Sequence, residues 1–392
     1  MSNPHPFQKL GDIANIEMGQ SPASVYVHEE LAKGLPFLQG CAEFGATNPI
    51  PKKSCSGLAK VGLSGSSLIS VRAPVGALNK ADQNYVIGRG LAAISARNGF
   101  SQAYLNYALE WSAKALHRVA QGSTFEAIGN KELRNLEIPV PVDFAEQEGI
   151  AAVLSALDEQ IEATEGSVKK HKAIRDGMAC EMFPSPDKLS QSGWTRVAIS
   201  ELGTIFTGNT PTPKNPSNYG GAVPFVTPAD ISDADFVEST EKTLSNQGMR
   251  LGRLANPGSI FCVCIGSTIG KLAAIQVSAC TNQQINCLIP HDMGLSYFYL
   301  YAMRKYLKPQ LLIEAGLQAV PIVNKSSFAR LEIGIPPTTE DAFLIQEKLN
   351  SANSYIAKLQ AESEKLQLLK KGLMHDLLTG KTRVTTKPEA LQ

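Results

Sequence analysis

The sequence predicts an α+β (mixed) protein: two α/β units, each followed by one long helix, with the two helices pairing as an antiparallel coiled coil. Three observations carry that prediction. Between Glu146 and Met182, Ile150, Leu154, Leu157, Ile161, Val168, Met178 and Met182 are separated by four, three, four, seven, ten and four residues, the spacing of a coiled-coil seam, with no proline between them. The same spacing returns 195 residues later as Ile345, Leu349, Ala352, Ile356, Leu373 and Leu377, with Leu366 also on the stripe and the polar Ser363 as the exception. The third observation is that stretches outside the helices repeat too. "LRNLEIPVP" (Leu133 to Pro141) answers "FARLEIGIPP" (Phe328 to Pro337), and "RDGMACEMF" (Arg175 to Phe183) answers "KKGLMHDLL" (Lys370 to Leu378). A repeat of this period governs how every local motif is read.

The repeat divides the chain into residues 1–143 (first unit), 144–192 (first long helix and linker), 193–338 (second unit) and 339–392 (second long helix and tail). In the first unit, β-like runs occur at Ser66 to Val71, Leu91 to Ser95 and Leu136 to Val140, with one helix-like stretch from Ser101 to Arg118. The second unit repeats the plan at Ser259 to Ile265, Asn286 to Pro290 and Leu331 to Pro336, with helix-like residues from Leu295 to Leu307. Strands and helices alternate too irregularly for a doubly wound sheet. "FPSPDKLSQSG" (Phe183 to Gly193) reads as a linker, and "TGKTRVTTKPEALQ" (Thr379 to Gln392) as a frayed tail.

A helix of about 37 residues is roughly 55 Å long. A unit of about 140 residues is only some 29 Å across, so each helix overhangs its unit and the two stripes are expected to pair with each other. An antiparallel pair predicts a dumbbell with a pseudo-twofold internal repeat.

At 392 residues, 43% hydrophobic and 19% charged, the chain can bury sizeable cores and is neither disordered nor fibrous. Seven cysteines at no framework spacing, and no signal peptide, predict a reducing, cytoplasmic setting without disulfides. No apolar run is long enough to span a membrane. Residues 1–143 carry 13 Lys+Arg against 11 Asp+Glu, residues 193–338 carry 11 against 9, and residues 144–192 carry 5 against 9. If the chain touches DNA, the contact belongs to the globular units, whose surplus of two each is too small to mark a strong non-specific nucleic-acid binder.

The motifs "IGRGLAAI" (Ile87 to Ile94), "GSTFEAIGNKELRNLEIPVP" (Gly122 to Pro141), "EQEGIAAVLSALDEQI" (Glu146 to Ile161) and "LKKGLMHDLLTGKTRV" (Leu369 to Val384) resemble those of the specificity subunit of type I restriction-modification systems. The resemblance covers the whole chain. It implies two target-recognition domains reading a bipartite, asymmetric double-stranded DNA target. It implies as partners two methylation subunits and, in the full complex, restriction subunits, with neither catalysis nor a cofactor in this chain.

Motifs for other chemistry are weak. "GSTIGKL" (Gly266 to Leu272) has three residues between its glycines and Leu272 where a phosphate loop needs a hydroxyl, so it reads as a turn. Cys262 and Cys264, with Cys280 and Cys287, have the elements for zinc. Alternate thiols on one strand face are better explained as small buried side chains, so no metal is expected. The alternatives kept open are a coiled-coil adaptor that reads no DNA and a duplicated-domain DNA methyltransferase or nuclease.

Base edges are read by Arg, Lys, Asn, Gln, Ser and Thr on loops, and phosphates by cations, hydroxyls or amides. The candidate DNA-binding residues are therefore Lys52, Lys53, Arg72, Gln121, Ser123, Thr124 and Asn130 in the first unit. In the second they are Lys214, Asn215, Ser267, Thr268, Lys271, Gln318 and Lys325.

Overall fold

The computed structural model describes residues 4–121, 127–232, 234–316 and 320–384. The chain divides into two compact units, Met1–Glu165 with Ala361–Gln392, and Gly166–Gln360. Its long helices are α1 (Gln102–Gln121), α2 (Phe144–Met182), α3 (Ser296–Ala315) and α4 (Thr339–Leu378).

Local chemistry sets the ends of the two longest. At the start of α2, Asp143 Oδ1 accepts a hydrogen bond from Ala145 N at 3.0 Å; at the start of α4, Thr338 Oγ1 accepts one from Asp341 N at 3.1 Å. Pro184 stands two residues past the end of α2, and Gly380, at φ +75°, two residues past the end of α4.

The first unit holds a four-stranded antiparallel sheet in the order Ala14–Met18, Leu91–Ala96, Ser67–Ser70, Leu78–Lys80. Its second sheet runs Val27–His28, Lys53–Cys55, Leu35–Leu38, Tyr85–Ile87, Val61–Gly62, and contains one parallel pair, Phe37 opposite Val86. A small third sheet pairs Phe7–Lys9 with Glu137–Pro139.

The second unit repeats this order, except that the edge strand Val27–His28 has no counterpart and the second sheet has four strands rather than five. Its main sheet runs Gly203–Thr207, Ile285–Pro290, Ile260–Val263, Leu272–Ala274. The second sheet, Lys242–Leu244, Tyr219–Val226, Ala279–Thr281, Leu254–Ala255, has its parallel pair at Phe225 opposite Cys280. Thr195–Ala198 pairs with Glu332–Ile335. The sequence repeat is thus a repeat of topology, and α1 and α3 are both 20 residues long.

The two long helices run antiparallel, as seen separately in each unit. In the first, Asp158 pairs with Lys370 at 2.8 Å and Glu165 accepts from Gln367 at 2.9 Å, so position rises along α2 as it falls along α4. In the second, His171 packs edge-on against Tyr355 and Arg175 donates to Asn353 Oδ1 at 3.1 Å.

The apolar stripes do more than pair with each other. Ile150, Ala151, Leu154, Met374, Leu377 and Leu378 belong to the core of the first unit, together with Leu10, Tyr104 and Ile138. Ala342 and Leu349, with Met178, Met182 and Ile345 beside them, belong to the core of the second, together with Phe298 and Phe328. Leu157, Ile161, Val168, Ala352 and Leu366 are half-buried, Ile356 and Leu373 lie on buried or half-buried faces, and Ser363 is buried. Each helix end therefore completes a globular core as well as pairing with the other helix.

The linker after α2 is packed, with Phe183 1% and Leu189 3% exposed. Two expectations about segment ends need correction. The expected fraying does not extend to residues 379–384: His5 N donates to Thr379 O at 3.2 Å and Arg383 Nη1 to Glu146 at 2.7 Å. Helix α3 continues eight residues past the predicted end, through Pro309, because Leu311 and Ala315 are buried in the core.

Candidate nucleic-acid interface

In both units the turn after the third strand of the main sheet meets the segment leading into a short helix. In the first unit Arg72 bridges to Ala127, and Ile128 N donates to Val71 O at 3.0 Å. In the second, Ile265 bridges to Ile322, and Val323 N donates to Cys264 O at 2.8 Å. This local pairing brings Arg72 to the segment containing Asn130, and Ser267 and Thr268 to the segment containing Lys325.

Arg72, Asn130, Ser267 and Lys325 are exposed, and Thr268 is half-buried. Asn130 opens the helix Asn130–Arg134, and its Oδ1 accepts from Arg134 Nε at 2.9 Å. Lys325 opens the helix Lys325–Arg330, which is capped by Asn324. Ser123, Thr124 and Gln318 lie outside the described residues, as does the side chain of Gln121.

The remaining candidates are placed differently. Lys52 is exposed ahead of the strand Lys53–Cys55, and Lys53 pairs with Glu29 at 2.8 Å, so both belong to the second sheet rather than to the main-sheet turn. Lys214 is exposed, whereas Asn215 caps the turn Pro216–Asn218 by accepting from Ser217 N at 3.2 Å. Lys271 donates one hydrogen bond to Ile231 O at 3.0 Å, which holds its ammonium against its own unit. The segment Gly266 to Leu272 forms the bend of a β-hairpin, with Val263 N donating to Lys271 O at 2.9 Å. No helix follows to hold a phosphate.

The repeat also exposes residues that sequence reading passed over. Register places Lys53 opposite Phe37 and Lys242 opposite Phe225, so Lys242 is the counterpart of Lys53; it lines a cavity of 530 Å³ with Thr210, Tyr219, Thr227 and Asn282. Gln20 N bonds Ile87 O in the first unit and Asn209 N bonds Thr281 O in the second, which makes the exposed Arg89 and Gln283 counterparts. The signal in the sequence was the pair of glycines around Arg89. A Cβ on Gly88 would stand 3.0 Å from Gln39 Cα and one on Gly90 2.8 Å from Gln39 O, so the backbones cross closely at the two residues flanking Arg89.

The thiols do not converge. Cys262 and Cys264 sit in one cluster, Cys287 in a second and Cys280 in a third, and burial pushes the Cys280 thiol up to about 11. Among the described residues, no group of three or more His, Cys, Asp or Glu is placed to hold a metal ion, and no helix is long and apolar enough to cross a membrane.

Exposed cations, amides and hydroxyls thus recur on repeat-related loops beside the two main sheets. Residues 6–170 and 191–370 each match the type I restriction modification DNA specificity domain, and the chain belongs to that family. It is 32% identical over 194 residues to the type I restriction enzyme HindI specificity subunit of Haemophilus influenzae, a match covering 48% of this chain and 41% of that protein. The match to the type I restriction enzyme MjaIX specificity subunit of Methanocaldococcus jannaschii is 23% identical over 418 residues and covers 96% and 93%. The fold is similar to the crystal structure of a type I restriction-modification S subunit from M. genitalium, with a TM-score of 0.60, 14% identity and coverage of 95% and 96%.

Proposed function

We propose that this chain is the DNA sequence-specificity subunit of a type I restriction-modification complex. Each globular unit reads one part of a bipartite, asymmetric double-stranded target through its turn and short-helix segment, with Arg72 and Asn130 in one unit and Ser267, Thr268 and Lys325 in the other. Arg89 and Gln283, Lys53 and Lys242 extend the two surfaces. The long helices hold the units and carry the methylation subunits, with restriction subunits joining the full complex; the chemistry belongs to those partners and this chain selects the sequence. The observation that carries the reading is the double match to the specificity domain, at residues 6–170 and 191–370.

The test is to express the chain with its methylation subunits and map modified bases across a genome. The expected result is one motif of two specified segments separated by an unspecified spacer. Assembly with the partners but no preference among sequences would favour an adaptor, and modification by the chain alone would favour a methyltransferase.

A further inference from the structure

Where each globular unit meets the helix pair there is a polar cluster, partly exposed in the first unit, where the Asp158 side chain is 40% and Glu110 49% exposed, and largely buried in the second, and the two clusters are built from repeat-related positions with different chemistry. In the first unit Tyr107 and Glu110 come from α1, Asp158 from α2 and Lys370 from α4. Tyr107 Oη donates to Asp158 Oδ2 at 2.8 Å, and Lys370 Nζ lies 2.8 Å from Asp158 Oδ1 and 3.2 Å from Glu110 Oε1.

The counterparts, 194 residues on for the domain helix and 195 for the long helices, are Tyr301, Arg304, Asn353 and, for Lys370, Arg175. Here the carboxylate is supplied elsewhere. Asp235, 6% exposed, accepts from Tyr301 Oη at 2.7 Å and from Arg304 and the Asn353 amide, while Arg175 donates to Asn353 Oδ1 at 3.1 Å. Asp235 O accepts from Ala274 N at 2.9 Å as Thr47 O accepts from Lys80 N at 3.1 Å, both donors being the last residues of matching strands. Thr47 therefore stands where Asp235 stands, and in the first unit it lines a cavity of 610 Å³ together with Lys80, Tyr107, Glu110, Asp158 and Lys370.

In both clusters a tyrosine hydroxyl donates to one carboxylate. That carboxylate sits on the long helix in the first unit and on the recognition domain in the second. We infer that Asp158 and Asn353 are positioning residues that decide which recognition domain each half of the helix pair accepts. An aspartate at the helix position meets a domain that offers threonine, and an asparagine meets a domain that offers aspartate. Placing the second domain on the first half sets Asp235 against Asp158, with Lys370 and the domain's own Arg304 as the cations beside them; two carboxylates in one partly buried site repel, so keeping both ionised costs stability.

Two sets of full-length variants test this. Asn353→Asp puts a carboxylate against Asp235; the other groups facing it are Tyr301 and Arg304 on α3 and Arg175 on α2, itself paired with Asp176. The expected result is faster amide exchange in α3 and a lower melting temperature near neutral pH, with the loss shrinking as pH falls and one carboxyl takes up a proton. Adding Asp235→Asn, which leaves a single carboxylate on the helix, should restore the parent's behaviour and remove the pH dependence. If Arg175 and Arg304 absorb the second carboxylate, Asn353→Asp will match the parent at every pH and the inference fails; it fails too if the double variant is no better than the single.

In the second set, residues 193–338 replace residues 1–143 in the whole chain, with and without Asp158→Asn. The substitution should raise the melting temperature of this chimera and lower that of the parent, and equal effects on both would overturn the proposal. These readouts do not involve DNA, so they stand whether or not the proposed sequence reading holds.

Discussion

Arg383 donates hydrogen bonds to both carboxylate oxygens of Glu146, at 2.7 and 3.0 Å, and so fastens the segment after α4 to the first turn of α2. Glu146 is 9% exposed and the Arg383 side chain 40%. Arg383→Met should therefore cost about 1–2 kcal/mol, below the range for a fully buried pair because solvent screens the arginine. Lys381→Met, at a side chain 70% exposed, should change the melting temperature by little. Equal losses for the two would mean that the pair contributes nothing.

His5 lies in the same cluster, 2% exposed, with Nε2 3.1 Å from Leu377 O. Burial, and then the charge of Arg383, lower its pKa, outweighing Glu146 and the Leu377 carbonyl, which act to raise it. The unfolded chain therefore takes up a proton at this histidine before the folded one does. Its contribution is fully present above about pH 6.5 and is lost as pH falls below that. A His5→Gln variant should lose less stability than the parent between about pH 7 and about pH 5, as read from melting curves; parallel curves would rule the histidine out.

Leu154 is fully buried in the first unit's core and Val153 is 37% exposed. Leu154→Ala should cost about 2–5 kcal/mol, and Val153→Ala within about 0.5 kcal/mol. Chemical denaturation with a probe in the first unit checks the difference. Leu157, only half-buried, should fall between them.

Gly166, Gly177 and Gly372 sit inside the long helices with nothing within 4 Å of an added Cβ. Each Gly→Ala change should stabilise by about 0.5–1 kcal/mol from helix propensity alone. A loss at any of them would place a partner chain against that face. Gly19→Ala is the contrast, because its Cβ would stand 2.1 Å from Gly88 O and should prevent normal folding.

Under the proposed DNA reading, Arg72→Ala and Lys325→Ala should each weaken binding of the assembled complex. The slope of log affinity against log salt should become shallower by about 0.9 for each phosphate that is no longer neutralised. Lys271→Ala should instead lower stability, since its ammonium serves Ile231 O. Unchanged affinity at both exposed cations would move the interface elsewhere.

The repeat and the long helices were legible because their periodicity extends over many turns. The second sheets were not: Val27–His28, Leu35–Leu38 and Lys53–Cys55 are too short to show alternation, and Tyr219–Val226 carries two glycines and a proline that read as a loop. Asn215 and Lys271 are side chains of the expected types that turn out to be held by Ser217 and Ile231. Ser217 lies two residues from Asn215, an ordinary local turn contact, but Ile231 lies 40 residues from Lys271, beyond any spacing rule. The Tyr107 and Tyr301 clusters were invisible for the same reason, because their members join through tertiary contact alone.

The core of the first unit includes Met374, Leu377 and Leu378, whereas the second unit is the unbroken stretch Gly166–Gln360. On the ribosome, where the chain emerges in order, the second unit can close while the first still lacks part of its interior. Until residue 378 has been synthesised, the apolar side chains of Ile150 and Leu154 have no complete cover, and the domain made first is the last to finish.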